Sequence, residues 1–208
     1  MFSEARVKLA KQMFGAGAIK FGVFRLKLHE RKPDAPLSPI YIDLRVLRSF
    51  PPVMDSAVEV YMELIRDLKF DLFADVPTAA TPIVAILSHL MKVPMVSPRK
   101  DDKEHGISRK IDGAFEAGQT ALLIDDLITH AESKLETIST LKANGLTVKD
   151  VVVLVDREQG WAEQLETAGY KFHCAFKLSE LLQFYQQEGE IDQSEYERTI
   201  TYLRASPK

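Results

Sequence analysis

Three short runs of this 208-residue chain hold charged or hydroxyl side chains able to bind or react with a ligand, and the first could meet a phosphorylated sugar. In ALLIDDLITHAES, two adjacent carboxylates, Asp125 and Asp126, close an apolar stretch directly ahead of a turn and a helical pattern. Carboxylates at the carboxyl end of a buried strand meet sugar hydroxyls or a hydrated magnesium ion. The turn that follows offers backbone N–H groups and a helix N-terminus to a phosphate. A plainer assignment makes Asp126 a helix cap and Asp125 a solvated loop residue. The second run, Pro98 to Ile111, gathers Arg99, Lys100, Lys103, His105, Arg109 and Lys110 amid Asp101, Asp102 and Glu104. Taken by itself it is a solvated loop of mixed charge. The third, DVPTAATP, joins an apolar run to a helical pattern, with Thr81 placed to cap a helix starting at Pro82.

Such residues need a rigid frame, and the chain predicts one. From Phe70 onward short apolar runs alternate with helical patterns: FDLFADV, TPIVAILSHLM, VPMVS, ALLIDDLI, SKLETISTLKANG, DVVVLVD, WAEQLETAG and YKFHCAF. The runs VVVLV and ALLI lack polar alternation, as strands covered on both faces do, so a doubly wound α/β sheet is expected. Leu135, Ile138 and Leu141 stand at helical spacing before Gly145, a natural left-handed cap. Two polar helices, Leu178 to Tyr185 and Gln193 to Leu203, should close the chain. Before Phe70 the pattern predicts a helix capped by Ser3 and stopping at Gly15, and a strand from Ala18 to Leu28. A proline-broken surface loop, a second strand in SPIYIDLR, and a helix from Val53 to Leu68 behind Pro51-Pro52 follow.

Composition narrows the class further. A hydrophobic share of 46 % and a charged share of 27 % suit a folded globular protein, and 208 residues suit one domain with an appendage. The net charge of −3 supplies no basic field for nucleic acid or an anionic membrane. One cysteine, Cys174, and no paired Cys/His spacing suggest a reducing compartment, hence cytoplasm, without structural metal. MFSEARVKLAKQMF is not a signal peptide or a membrane span. Cys174 should be a small buried hydrophobe, and Trp161 a packing residue. His29, His89 and His173 have no partner suggested by spacing.

The acidic run LLIDDLIT resembles the phosphoribosyl-pyrophosphate (PRPP) motif of type I phosphoribosyltransferases. The match continues through KLETISTLKANGLTVKDVVVLVDREQG, which is similar to orotate phosphoribosyltransferase. FGVFRLK, SPIYIDLR, DVPTAATPIV and PRKDDKEHGISRKIDGAF fit that family in the same order, so the resemblance covers roughly Ala18 to Gly160. It implies a central, mostly parallel sheet flanked by helices with a small N-terminal hood: a single domain over 1–208, with the hood in 1–50 and the PRPP-binding core in 51–208. It also implies transfer of ribose 5-phosphate from PRPP to orotate in pyrimidine biosynthesis. Magnesium would be bound mainly through PRPP, with no direct protein ligand.

Residue by residue, the resemblance gives Asp125 and Asp126 the ribose hydroxyls, and Thr129, His130, Ala131, Glu132 and Ser133 the 5′-phosphate. Arg99, Lys100, Lys103 and His105 fall in the family's catalytic loop, where they would neutralise pyrophosphate. Several of them would reach into a partner subunit, which implies a homodimer. Lys27, Tyr41 and Arg157 would hold orotate, Arg157 with the two parallel donors that a guanidinium offers a carboxylate or carbonyl edge. Asp43 and Arg45 are as readily structural.

The sequence departs from the family at three places. THAES replaces a glycine-bearing T-A-G-T/S loop and sets Glu132 against a phosphate, Asp75 stands where glycine is common, and Leu28-His29 with an insertion replaces Ser-Gly in the hairpin. These departures motivate the alternative, a non-catalytic relative with a regulatory or scaffold role. Likeness to the transferase half of UMP synthases also leaves open a fusion or association with orotidylate decarboxylase.

Overall fold

The structure, a computed structural model, describes residues 2–26, 28–99, 110–128 and 132–205. The chain opens with helix α1 (Glu4–Gly15), whose cap is Ser3: its hydroxyl accepts the Arg6 N–H at 3.3 Å. Strands β1 (Ile19–Phe24) and β2 (Ser38–Ile42) pair antiparallel as a separate two-stranded sheet. Both are shorter than expected. β1 stops at Phe24 and is followed by a helical turn, α2 (Leu28–Arg31), while β2 gives way to a 3₁₀ turn over Leu44–Ser49 that Asp43 caps. His29 holds the connection together. Its buried ring accepts the Leu26 N–H on Nδ1 (2.9 Å) and donates from Nε2 to the Ala35 carbonyl (3.1 Å).

Helix α3 (Pro51–Ile65) starts on two prolines whose fixed φ suits a first turn, and it ends three residues before Leu68. It buries Met54, Ala57, Val58, Tyr61 and Ile65, the face that turns inward at helical spacing. Then come β3 (Leu72–Asp75), α4 (Thr81–Met91), β4 (Met95–Pro98), β5 (Ile111–Asp112) and β6 (Thr120–Ile128). The chain closes with α5 (Glu132–Ala143), β7 (Thr147–Asp156), α6 (Trp161–Thr167), β8 (Lys171–Lys177), α7 (Leu178–Gln187) and α8 (Gln193–Ala205). Gly145, at φ 87°, ends α5 as its position predicts. β5 has no counterpart in the sequence expectation.

The main sheet has the order β5-β4-β3-β6-β7-β8, parallel throughout except for β5 against β4. Val151 to Val155 are wholly buried. Alternate residues feed opposite layers: Leu122, Ile124, Val152 and Leu154 pack with α1, α3 and α7, whereas Ala121, Leu123, Val151 and Val153 pack with Ile138, Leu141 and Leu165. That two-sided burial explains why these runs carry no polar alternation. β3 leads outward through α4 to β4, while β6 leads the other way through α5 and α6 to β7 and β8. The order therefore reverses between β3 and β6, and ligand crevices in open α/β sheets lie at the strand carboxyl ends beside such a reversal.

Candidate active site

The carboxyl ends of β3 and β6 lie in register at this reversal, with Asp75 opposite Ile124 and Asp125 one residue beyond. The acidic pair lies within β6, which continues to Ile128, rather than after the strand; Asp126 caps no helix. Asp125 is buried, and both of its oxygens are engaged. Oδ2 accepts from Lys134 Nζ at 2.6 Å and Oδ1 from the Asp126 N–H at 2.9 Å, while the Tyr61 hydroxyl donates to the Asp125 carbonyl at 2.6 Å. Lys134 Nζ also donates to the Leu127 carbonyl at 3.0 Å. Burial, followed by the charge of Asp125, pushes the Asp126 carboxyl up to about 7, and Lys134 opposes that rise. Burial likewise pushes the Tyr61 phenol well above its ordinary value.

Lys134 was missed in the sequence, although its position carried a signal. It precedes Ile138 and Leu141 by four and seven residues, so it lies on the buried stripe of α5, where a lone lysine needs an acidic partner.

The loop between β3 and α4 departs from its sequence reading too. Thr81 does not cap the helix; its hydroxyl donates to Asp75 Oδ2, and the cap residue is Ala80, which makes no side-chain bond. Asp75 is completely buried, and its Oδ1 has no partner among the described residues. Arg48 reaches this loop through a hydrogen bond to the Thr78 carbonyl at 3.3 Å.

At the end of β7, Asp156 pairs with Ile128 of β6, and Arg157 follows with only 4 % of its surface exposed. Its Nε and Nη2 have no hydrogen-bond partner among the described residues. Burial pulls the Arg157 pKa below its ordinary value, with Tyr202 of α8 working against the fall. A guanidinium in that state is an incomplete site whose natural complement is an anion. Around it DREQG is well ordered by hydrogen bonds. Asp156, its pKa raised chiefly by burial, accepts the Glu158 N–H at 2.8 Å, and Glu158, at φ 58°, accepts the Ser179 N–H in the first turn of α7 at 2.6 Å.

In the hairpin region, Tyr41 stacks near Phe24 with ring centroids 5.6 Å apart, and lines a cleft of about 560 Å³ with Arg25, Leu26, His29 and Glu30. Arg45 and Asp43 serve structure, paired at 2.7 Å. Arg99 stands at the root of the cationic run in a forked ion pair with Asp112. Ser133 lies in the first turn of α5, and its carbonyl accepts from Thr137. Lys27, Lys100, Lys103, His105, Thr129, His130, Ala131 and the side chain of Glu132 lie outside the described residues. Trp161 packs against the second hydrophobic layer as expected, whereas Cys174 is half-buried rather than buried, its thiol pushed up to about 11 by burial. His173 has a partner after all, Asp150, at 2.8 Å on the neighbouring strand. Among the described residues, no group of three or more His, Cys, Asp or Glu is arranged to hold a metal ion.

The sheet order, the acidic pair at its reversal and the helices on both faces define a type I phosphoribosyltransferase fold. No family model matches the chain. Individual relatives do. An orotate phosphoribosyltransferase of Pyrobaculum islandicum is 34 % identical over 90 % of this chain and 93 % of its own length. The uridine 5′-monophosphate synthase of Bos taurus is 34 % identical over 94 % of this chain and 40 % of its own. The solved UMP synthase of Leishmania donovani superposes with a TM-score of 0.85 at 35 % identity, over 96 % of this chain and 42 % of that one. The chain belongs to the orotate phosphoribosyltransferase family. It spans about two fifths of the length of the first curated relatives it matches.

Proposed function

We propose that this chain transfers ribose 5-phosphate from PRPP to orotate, giving orotidine 5′-monophosphate and pyrophosphate, a step of pyrimidine biosynthesis. The observation that carries this reading is Arg157, the arginine of DREQG, which is buried with two donors that have no partner among the described residues. Orotate brings a carboxylate and a carbonyl edge to such a fork. Lys27 and Tyr41 of the hairpin are assigned to the same base.

In the reaction an N–H nitrogen of the orotate ring bonds to C1 of the ribose as the C1–O bond to pyrophosphate breaks, its proton passing to the departing pyrophosphate or to water, with positive charge developing on the sugar. The negative charge of the acidic pair stabilises that development, and its oxygens accept from the ribose hydroxyls. Thr129, His130, Ala131, Glu132 and Ser133 are assigned to the 5′-phosphate. Arg99, Lys100, Lys103 and His105 are assigned to the departing pyrophosphate, partly across a homodimer. Magnesium arrives as part of the substrate, because a hard, strongly hydrated cation binds through phosphate oxygens in preference to an all-protein cage. The chemistry of the chain suits that division, since Asp125 is already engaged by Lys134.

The longer relatives support a fusion or association with orotidylate decarboxylase. Among the described residues no helix is long and apolar enough to cross a membrane, and we assign the protein to the cytoplasm on its composition. Nothing in the fold or the relatives favours the non-catalytic alternative. The test is orotate-dependent pyrophosphate release from PRPP with magnesium. Turnover that requires orotate and is not matched by free purines or uracil is expected. No release at high protein concentration would overturn the reading.

A further inference from the structure

The acidic pair of this chain carries its own cation. Lys134 is only 2 % exposed, and two of its three donors are engaged, by Asp125 Oδ2 and the Leu127 carbonyl. An aliphatic residue would fill the same stripe beside Ile138 and Leu141, and replacing a buried ion pair by apolar residues is often neutral or stabilising. Stability alone therefore gives no reason for the pair as a whole, although removing Lys134 by itself would strand Asp125. The consequence of Lys134 for the acidic pair is geometric: both Asp125 oxygens are occupied, one by Lys134 and one by the Asp126 N–H, whereas the Asp126 carboxyl, hydrogen-bonded to that of Asp125, meets no cation at hydrogen-bond distance among the described residues. Among the described residues, the other ionisable group packed on the pair is Tyr61 of α3, whose hydroxyl is committed to the Asp125 carbonyl.

We infer that Lys134 is a positioning residue for phosphoribosyl transfer: it clamps Asp125 in place as an engaged carboxylate and leaves Asp126 to take the ribose hydroxyls. The two acids thus divide their labour rather than share it. Lys134 also offsets the repulsion between them, the effect that lets the half-buried Asp126 ionise near neutrality. The assignment to the sugar rests on the function proposed above; the clamp itself does not.

The test compares the full chain with Lys134→Met and Lys134→Arg, titrating the aspartate carboxyls by carbon-13 NMR and measuring KM for PRPP against pH. In Lys134→Met the titration midpoint of Asp126 moves up by about one pH unit or more, and the pH below which KM for PRPP rises moves with it. Lys134→Arg restores both. Thermal unfolding confirms that each variant is folded at the assay temperature. If the methionine variant is not, Lys134→Gln, neutral but able to donate, gives the same reading. A folded neutral variant with an unmoved midpoint and an unmoved KM profile would overturn the clamp and leave Lys134 a packing residue. Absence of turnover by the unmodified protein would instead defeat the proposed function, while the carboxyl titration, which needs no turnover, would still decide the clamp.

Discussion

Two buried cations stand at the carboxyl edge of this sheet in opposite states. Lys134 is matched: its charge sits 2.6 Å from Asp125, and a second proton finds the Leu127 carbonyl. Arg157 is unmatched among the described residues: it is nearly as deeply buried, and its Nε and Nη2 find no hydrogen-bond partner there. An engaged buried pair holds its own residues in place, and an unengaged charge stores a demand that only a ligand meets. On this view the acidic end of the site is finished before substrate arrives, and the base-binding end is completed by the substrate.

The largest expected effect comes from removing the unmatched cation. Arg157→Met should lower kcat/KM for orotate by about a thousandfold, some 4 kcal/mol for a lost charged fork, while raising the Tm of the ligand-free protein because an unpaired buried charge is gone. Kinetics beside a thermal melt would show whether function and stability move in opposite directions. For the matched cation they should move together. Lys134→Met strands Asp125 and should cost about 3 kcal/mol, measured as a lower urea midpoint at unchanged slope.

A smaller effect concerns Asp126. Its carboxyl titrates at about 7 when folded and near the ordinary 3.8 when unfolded. Between those values the folded form retains a proton that the unfolded form has released, so stability falls as pH rises through that window and levels off above about 7. Asp126→Asn should accordingly raise Tm by a few degrees at pH 8 and leave it nearly unchanged below pH 4. The smallest concerns the frame around Arg157. Glu158→Ala uncaps the first turn of α7 and should cost about 1 kcal/mol in a denaturant melt, with a lesser loss of orotate affinity than Arg157→Met.

Much of this was legible in the residues, for identifiable reasons. The strands VVVLV and ALLI announced a sheet covered on both faces, Ser3 and Gly145 marked helix ends, and the family resemblance of DREQG, rather than any spacing, singled out Arg157. Side chains that act across the fold were not legible. Thr81 stands where a cap belongs, yet donates to Asp75, because a buried carboxylate six residues earlier is the better acceptor. His29 and His173 found partners that only chain folding supplies, a carbonyl in a turn and an aspartate on the next strand. Lys134 stands on the stripe of Ile138 and Leu141, but its partner Asp125 is supplied only by the packed fold. The hairpin was over-extended in sequence because its alternation continues past Phe24, while the actual path bends where His29 ties Leu26 to Ala35.

The most direct measurement is thermal unfolding of the unmodified protein and of Arg157→Met, each with and without orotidine 5′-monophosphate, which carries both the base and the ribose 5-phosphate. A protein whose arginine awaits the base should gain several degrees from the nucleotide, and the variant, starting from a higher Tm, should gain far less. Equal gains in the two proteins would contradict the assignment of Arg157 to the base and with it the view that the site is completed by its substrate.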